Sequence, residues 1–266
     1  MTNIHPTAIV DPKAELAADV VVGPFSIIGP RVSLGGGVKI HSHVVVDGKT
    51  SIGAKTEIYP FASIGQPPQD LKYRGEESEL IVGENNVIRE HVTMNSGTEG
   101  GGLITKVGSH CAFLAASHVG HDTIVGDYVV MSNNVMLAGH CHIGNHVIIG
   151  GGAGVHQFSR VGEHAFIGGM SGVENDVIPF GIVLGNRARL AGLNIIGLKR
   201  RGFDRERIQA LRNAYRVLFA EEGTLHDRVD TVASEFSGQA DVMQIVNFVR
   251  ADKSRSICTP RETHEA

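Results

Sequence analysis

An aliphatic residue at every sixth position dominates this chain. From Ile4 the series runs through Val10, Leu16, Val22, Ile28, Leu34, Ile40, Val46, Ile52, Ile58 and Ile64, then Val82, Ile88 and Met94. After a one-residue phase break it continues through Val107, Phe113, Val119, Val125, Met131, Leu137, Ile143, Ile149, Val155, Val161, Ile167 and Val173. A helix needs a period of 3.6, and a doubly wound sheet needs longer units. The residue two before the aliphatic one is small or β-branched, as at Val20, Ser26, Thr50, Ala62 and Thr123. The residue after it is often Gly, as at Gly23, Gly29, Gly53, Gly120 and Gly168. Each hexad therefore reads as a short strand with two inward side chains, then a turn in which Gly is expected to adopt unusual φ and ψ. Three such strands close as a triangle, three hexads to the coil. The chain is therefore expected to be an all-β solenoid, a parallel β-helix of the hexapeptide type. The hexads make about nine coils, on the order of 40 Å of stacked strands.

The solenoid is interrupted twice, and insertions into a solenoid project as surface loops. Between Ile64 and Val82 the register would turn Asp70 and Glu76 inward, so residues 65–81 are expected to leave the prism. The second break, residues 95–106, holds Gly100, Gly101 and Gly102. Without a following helix and a GK[ST] motif, that run reads as a flexible loop rather than a phosphate cradle. The domain boundary is expected at 193/194. Residues 204–221 carry Ile208, Leu211, Tyr215, Leu218 and Phe219 on one helical face. Gly223 is a stop, Thr224 with Asp227 resembles an N-cap, and 240–250 reads as a further helix. This tail, 194–266, is expected to cap the open end of the solenoid, where strand edges would otherwise be exposed. The formal net charge of -4 argues against nucleic acid as a partner. No apolar run is long enough to span a membrane, and no signal peptide is visible. Cys111, Cys141 and Cys258 form no CxxC pair, which suggests a reducing, cytoplasmic compartment.

Histidine is concentrated between 110 and 164, at His110, His118, His121, His140, His142, His146, His156 and His164. Residues three hexads apart stack one rung up, roughly 5 Å away. Gly139 therefore lies over His121, and His140 over Asp122. None of these histidines occupies an inward hexad position. Two chemistries fit the cluster. One is general base catalysis by His121 beside Asp122, with the backbone N–H of Gly139 as an oxyanion donor. The other is a His-rich zinc site shared between subunits. A binding scaffold without catalysis is the non-enzymatic alternative. The segment 199–216 has Lys199, Arg200, Arg201, Arg205, Arg207, Arg212 and Arg216 against Asp204 and Glu206. It reads as a solvated face or as an anion site.

The stretches IGQPPQDLKY (64–73), SHVGHDTIVGD (117–127), NNVMLAGHCHIG (133–144), GVHQFSRVG (154–162) and GLNIIGLKRRGF (192–203) closely resemble the UDP-N-acetylglucosamine 3-O-acyltransferase family of hexapeptide-repeat enzymes. The resemblance runs from His5 to about residue 220. It implies a left-handed coil, a homotrimer with active sites between subunits, and no cofactor or metal. It also implies transfer of an (R)-3-hydroxyacyl group from the phosphopantetheine of acyl carrier protein to UDP-N-acetylglucosamine, the first step of lipid A synthesis. His121 matches the catalytic histidine, Asp122 its orienting acid and Gly139 the oxyanion donor. His118, His140, His156 and Gln157 match residues lining the cleft. Gln69, Asp70 and Lys72 match a loop that contacts the sugar across the interface, and Asn194, Arg200 and Arg201 match the nucleotide region. Ile196 and Arg187 depart from the family, which often has an acid and a histidine there. The acyl chain is expected in a groove between prisms, with Gly169 and Met170 near its end setting a preferred length of about 12 to 14 carbons, since Gly169 lies roughly 13 Å above His121 at about 5 Å per coil.

Overall fold

The structure, a computed structural model, describes residues 2–252 and 255–261. Residues 253–254 and 262–266 of the expected tail domain lie outside it. The hexads form a left-handed parallel β-helix. Its three faces, among the described residues, are sheets of 11, 9 and 8 strands. Asn3 pairs with Val21 and Val21 with Lys39, so three hexads make one coil. From the second coil on, the two positions of the hexad expected inside are buried, with Val20, Ser26, Val44, Ile58, Thr123 and Ile149 all at 0% exposure, whereas in the first coil Ile4 is 43% exposed and Val10 and Leu16 are half-buried. Hydrophobic burial along one continuous axis holds the prism together.

The two insertions are shorter than expected at their ends. Ser63–Gln66, Glu79–Val82, Thr93–Asn95 and Ile104–Val107 are all strands. Leu80 and Thr105 point inward at 0% exposure, and this keeps their segments in the ladder. The excursions are thus residues 67–78 and 96–103.

The glycine slot has the expected unusual φ at Gly65, φ 80°, but elsewhere serves a different purpose. Gly23, Gly53 and Gly120 do not have positive φ. A Cβ on Gly23 would sit 2.8 Å from the carbonyl carbon of His41, and one on Gly53 2.5 Å from that of Gly83. The slot is small because the next coil passes directly against it. Positive φ falls two residues later, on non-glycine residues such as Phe25, His43, Phe61, Asp122, His140 and Phe158, at 58–66°. Side chains at this left-handed corner project in parallel, one coil apart, so their rings stack. Phe25, His43, Phe61 and His91 form one column, with centroids 5.0–5.2 Å apart. His110, Tyr128, His146 and His164 form a second, at 4.7–4.9 Å. His110, His146 and His164 of the clustered histidines are therefore corner residues of the fold. Desolvation lowers the pKa of His164 to about 4.

The tail differs from the expected end cap. A hairpin of Gly181–Leu184 and antiparallel Arg189–Leu193 extends the first sheet. Ile257 bridges to Asp176 at the edge of another face. These segments, not the helices, occupy the open ladder edges. Among the described residues four helices follow: α1 (Ile195–Arg200), α2 (Arg205–Leu218), α3 (Leu225–Glu235) and α4 (Ala240–Ala251). Asp204 caps α2, and Thr224 with Asp227 forms a capping box on α3. α2 turns Ile208, Leu211, Ala214 and Leu218 inward; Tyr215 and Phe219 are half-buried. α4 lies along the side of the prism, where Gln244 bonds Glu163 and the Arg160 guanidinium lies 4.5 Å from the Phe248 ring centre. Among the described residues, no helix is long and apolar enough to cross a membrane.

Candidate active site

One corner of the prism and the sheet before it carry most of the expected residues. The sheet face turns Thr93, His118, Met136, Gly154 and Gly172 outward in successive coils. They line a groove of about 530 Å³ together with Gln69, Ala138, His156 and Glu174. His121, Gly139 and His140 turn the adjacent corner. The excursion 67–78 returns Gln69 to the groove of its own chain, so this residue reaches the groove without a second copy. Asp70 is half-buried and accepts from the Lys72 amide at 2.9 Å, while Lys72 is exposed.

His121 Nδ1 lies 2.7 Å from Asp122 Oδ2. Neighbours in sequence rarely pair in this way. Here Asp122 takes the left-handed conformation, φ 59°, and its carboxylate folds back beneath the preceding ring. The Asp122 side chain is 0% exposed and that of His121 17%. A buried carboxylate bonded to Nδ1 fixes the tautomer with the proton on Nδ1 and leaves Nε2 as the lone-pair nitrogen.

The His121 ring rests against Gly139. A Cβ there would stand 2.5 Å from Cε1 and 2.6 Å from Nε2. The Gly139 amide occupies the turn position that the strand ladders do not use, and among the described residues it makes no backbone hydrogen bond. Gly139→Ala should displace the ring and lower kcat about tenfold or more, since angstrom-scale misplacement costs on that order. Steady-state kinetics with an unchanged melting temperature would check it; full activity would show that the ring tolerates the shift.

His140 stands edge-on to His121 with centroids 5.0 Å apart, stacks on Phe158 at 4.4 Å, and places Nε2 3.7 Å from Asp122 Oδ2. His118 Nδ1 meets the Thr93 hydroxyl at 2.7 Å. Burial, with the nearby His121, pushes the pKa of His118 down, and burial also lowers that of His140 against the pull of Asp122. Both rings are therefore neutral near pH 7, acting as hydrogen-bond partners rather than cations. His156 and Gln157 are exposed, with His156 Nδ1 3.1 Å from the Gln157 carbonyl. His121, Asp122 and His140 bring potential metal donors within 4.8 Å of one another. Asp122 Oδ2 already receives the Thr98 hydroxyl and His121, which leaves it little capacity for a cation.

The nucleotide residues separate into structural and open roles. Asn194 caps α1, accepting from Gly197 N–H at 3.1 Å, and donates to the His164 carbonyl at 2.9 Å. Arg201 donates to the His146 carbonyl at 2.8 Å, and its Nη1 is buried without a partner among the described residues. Arg200 is exposed, as is Ile196. Arg187 pairs with Glu174 at 2.7 and 2.8 Å. Gly169 and Met170 turn the corner leading to Gly172 at the end of the groove, but neither lines it on this chain. Met170 is 77% exposed and packs its sulfur over Gly152. Sequence reading missed Thr98 and Gly101, which enclose Asp122; only the glycine run hinted at a close approach.

Residues 176–258 match the family described as Udp N-acetylglucosamine O-acyltransferase, Domain 2. An acyl-[acyl-carrier-protein]–UDP-N-acetylglucosamine O-acyltransferase of Caulobacter vibrioides is 54% identical over 258 residues, covering 97% of this chain and 98% of that one. A Methylobacterium radiotolerans protein of the same name is 61% identical over 205 residues, 77% and 75% of the two chains. The structure of LpxA from Acinetobacter baumannii superposes with a TM-score of 0.92 at 43% identity, covering 97% and 99%. This chain therefore belongs to the acyl-[acyl-carrier-protein]–UDP-N-acetylglucosamine O-acyltransferase family.

Proposed function

We propose that this protein moves an (R)-3-hydroxyacyl chain from acyl carrier protein to the 3-hydroxyl of UDP-N-acetylglucosamine, the first step of lipid A synthesis, without a metal or other cofactor. It does so in the cytoplasm as a homotrimer with grooves between prisms. The observation that carries this reading is the 2.7 Å His121–Asp122 pair, with its carboxylate buried beside an open groove. His121 Nε2 takes the proton of the sugar 3-hydroxyl as its oxygen attacks the thioester carbonyl. The resulting oxyanion is held by the Gly139 N–H. Collapse breaks the C–S bond, and the phosphopantetheine thiolate leaves with the proton returned by His121. Gln69, Asp70 and Lys72 hold the sugar, with His118, His140, His156 and Gln157 lining the cleft. Asn194 positions α1, and Arg200 and Arg201 face the nucleotide diphosphate. Incubation with UDP-N-acetylglucosamine and (R)-3-hydroxyacyl carrier protein should yield a 3-O-acylated nucleotide sugar and free carrier thiol by mass spectrometry. Absence of that product, or an acylated carrier consumed without it, would refute the reading.

The acyl chain follows the groove from His118 over Met136 and Gly154 to Gly172, with Gly169 at the corner just before Gly172, where a neighbouring prism would close the groove. Its preferred length is about 12 to 14 carbons, given roughly 5 Å of rise per coil. Gly169→Met should shorten the preferred chain by several carbons in a competition across chain lengths. An unchanged preference would mean that another residue closes the groove.

A further inference from the structure

We infer that Thr98 is a positioning residue for the reaction. From the excursion 96–103, it holds the Asp122 carboxylate in place and sets how much of its charge His121 receives. The inference rests on His121 acting as the base. Thr98 is 5% exposed. Its backbone N–H donates to Asp122 Oδ1 at 2.7 Å and its hydroxyl to Oδ2 at 2.6 Å. One residue thus grips both oxygens, and Oδ2 is shared between the Thr98 hydroxyl and His121 Nδ1.

The surrounding loop is shaped for this grip. The Thr98 carbonyl accepts from the amides of Gly101 at 3.1 Å and Leu103 at 2.8 Å, which folds the excursion back on itself. A Cβ on Gly101 would fall inside the Asp122 carboxylate, and one on Gly97 would stand 2.9 Å from Oδ1. On its other side, Asp122 donates its own N–H to the Thr105 hydroxyl at 2.8 Å. In a regular coil Thr98 would not lie beneath residue 122. The lengthened coil between Val82 and its ladder partner Val107 puts it there. The inserted residues enclose a carboxylate that would otherwise face water at an exposed corner.

Two physical consequences follow from that enclosure. Donors on a carboxylate stabilise its anion and draw off charge that would otherwise favour a neighbouring imidazolium. They also fix the plane of the carboxylate and therefore the direction of His121 Nε2. Among the described residues, His121, His140 and the loop donors face Asp122 directly, His118 faces His121, Asp70 acts on His140 from the other excursion, and His142, Arg160, Asp252 and Arg255 line the same pocket as Asp122. Removing the Thr98 hydroxyl returns charge to His121 and loosens the carboxylate. The imidazolium becomes easier to form, so the acid limb of the rate profile moves to higher pH and kcat falls.

The test compares Thr98→Val, Thr98→Ser and His121→Ala in the full-length protein, measuring kcat, KM and the pH profile of kcat/KM with both substrates. Thr98→Val should lose about tenfold or more in kcat, the lower part of the range for general-base effects, with KM within about twofold. Its acid limb should move to higher pH, because the carboxylate has lost a hydrogen-bond donor. Thr98→Ser, which keeps the hydroxyl, should recover most of kcat and the parental limb. Should Thr98→Val fail to fold, Thr98→Ala against Thr98→Ser carries the same contrast. Parental kcat and an unmoved limb in the variant without a hydroxyl, while His121→Ala is inactive, would overturn the role of Thr98 alone. Activity retained by His121→Ala would instead remove the reading on which the inference rests.

Discussion

His121→Ala is expected to lower kcat by about 10²–10⁴-fold, the usual consequence of losing a general base. The fold should be intact, because the ring lies outside the inward hexad positions and rests on Gly139 rather than in the core. KM for the nucleotide sugar should change little, since Arg200 and Arg201 lie on a different element. The alternative bases are weaker candidates on geometry. The Nδ1 of His118 is paired with Thr93, and among the described residues no carboxylate bonds its ring. His140 approaches Asp122 only at 3.7 Å. Burial lowers the pKa of both rings and holds them neutral near pH 7. Steady-state and single-turnover assays of the variant, with circular dichroism to verify folding, would measure the effect. A loss under about tenfold would place the base elsewhere.

Asp176→Ala is expected to cost about 3–5 kcal/mol of stability, the penalty for stripping one partner from a buried ion pair. Asp176 is 0% exposed. It binds the Arg160 side chain at 2.7 Å, accepts the Arg160 amide at 2.9 Å, and receives Arg255 at 3.3 Å. Arg160 in turn stacks on Phe248 and donates to its carbonyl at 3.2 Å. Arg255 donates to the Glu174 carbonyl and to Ser159. This carboxylate joins the last coils, α4 and the segment after it. Its loss would leave two guanidinium groups without their counter-ion in a poorly solvated place. Urea unfolding should show the destabilisation, and hydrogen exchange should show α4 opening before the coils. A change below about 1 kcal/mol, typical of a surface pair, would mean that the cluster is not the clasp.

The prism was legible in the sequence because period six is a direct print of its geometry: one inward aliphatic residue per strand, three strands per coil. Stacking at every third hexad places Gly139 over His121 on spacing alone, and the ring does rest there. The local backbone was less legible. The slot of Gly23 and Gly53 looked conformational but is steric, because a sequence does not reveal how closely the next coil passes. The left-handed corners fall on His, Phe, Asn and Asp, where glycine would be the usual clue. For that reason His110, His146 and His164 entered the functional cluster, although they stack as corner columns. The pairing of adjacent His121 and Asp122 depends on the same conformation. Thr98 lies 24 residues from Asp122, and only the folded path of a lengthened coil brings them together. The Asp176–Arg255 contact spans 79 positions and has no periodicity to announce it.

The central claim is that the His121–Asp122 pair performs acyl transfer without a metal. It is tested most directly by stripping the purified protein with a strong chelator, verifying the metal content, and measuring transfer from (R)-3-hydroxyacyl carrier protein to UDP-N-acetylglucosamine. The account predicts an undiminished rate in the stripped protein, no gain on adding zinc, and a loss of transfer when His121 is replaced. Activity that disappears with the metal and returns in proportion to added zinc would contradict it.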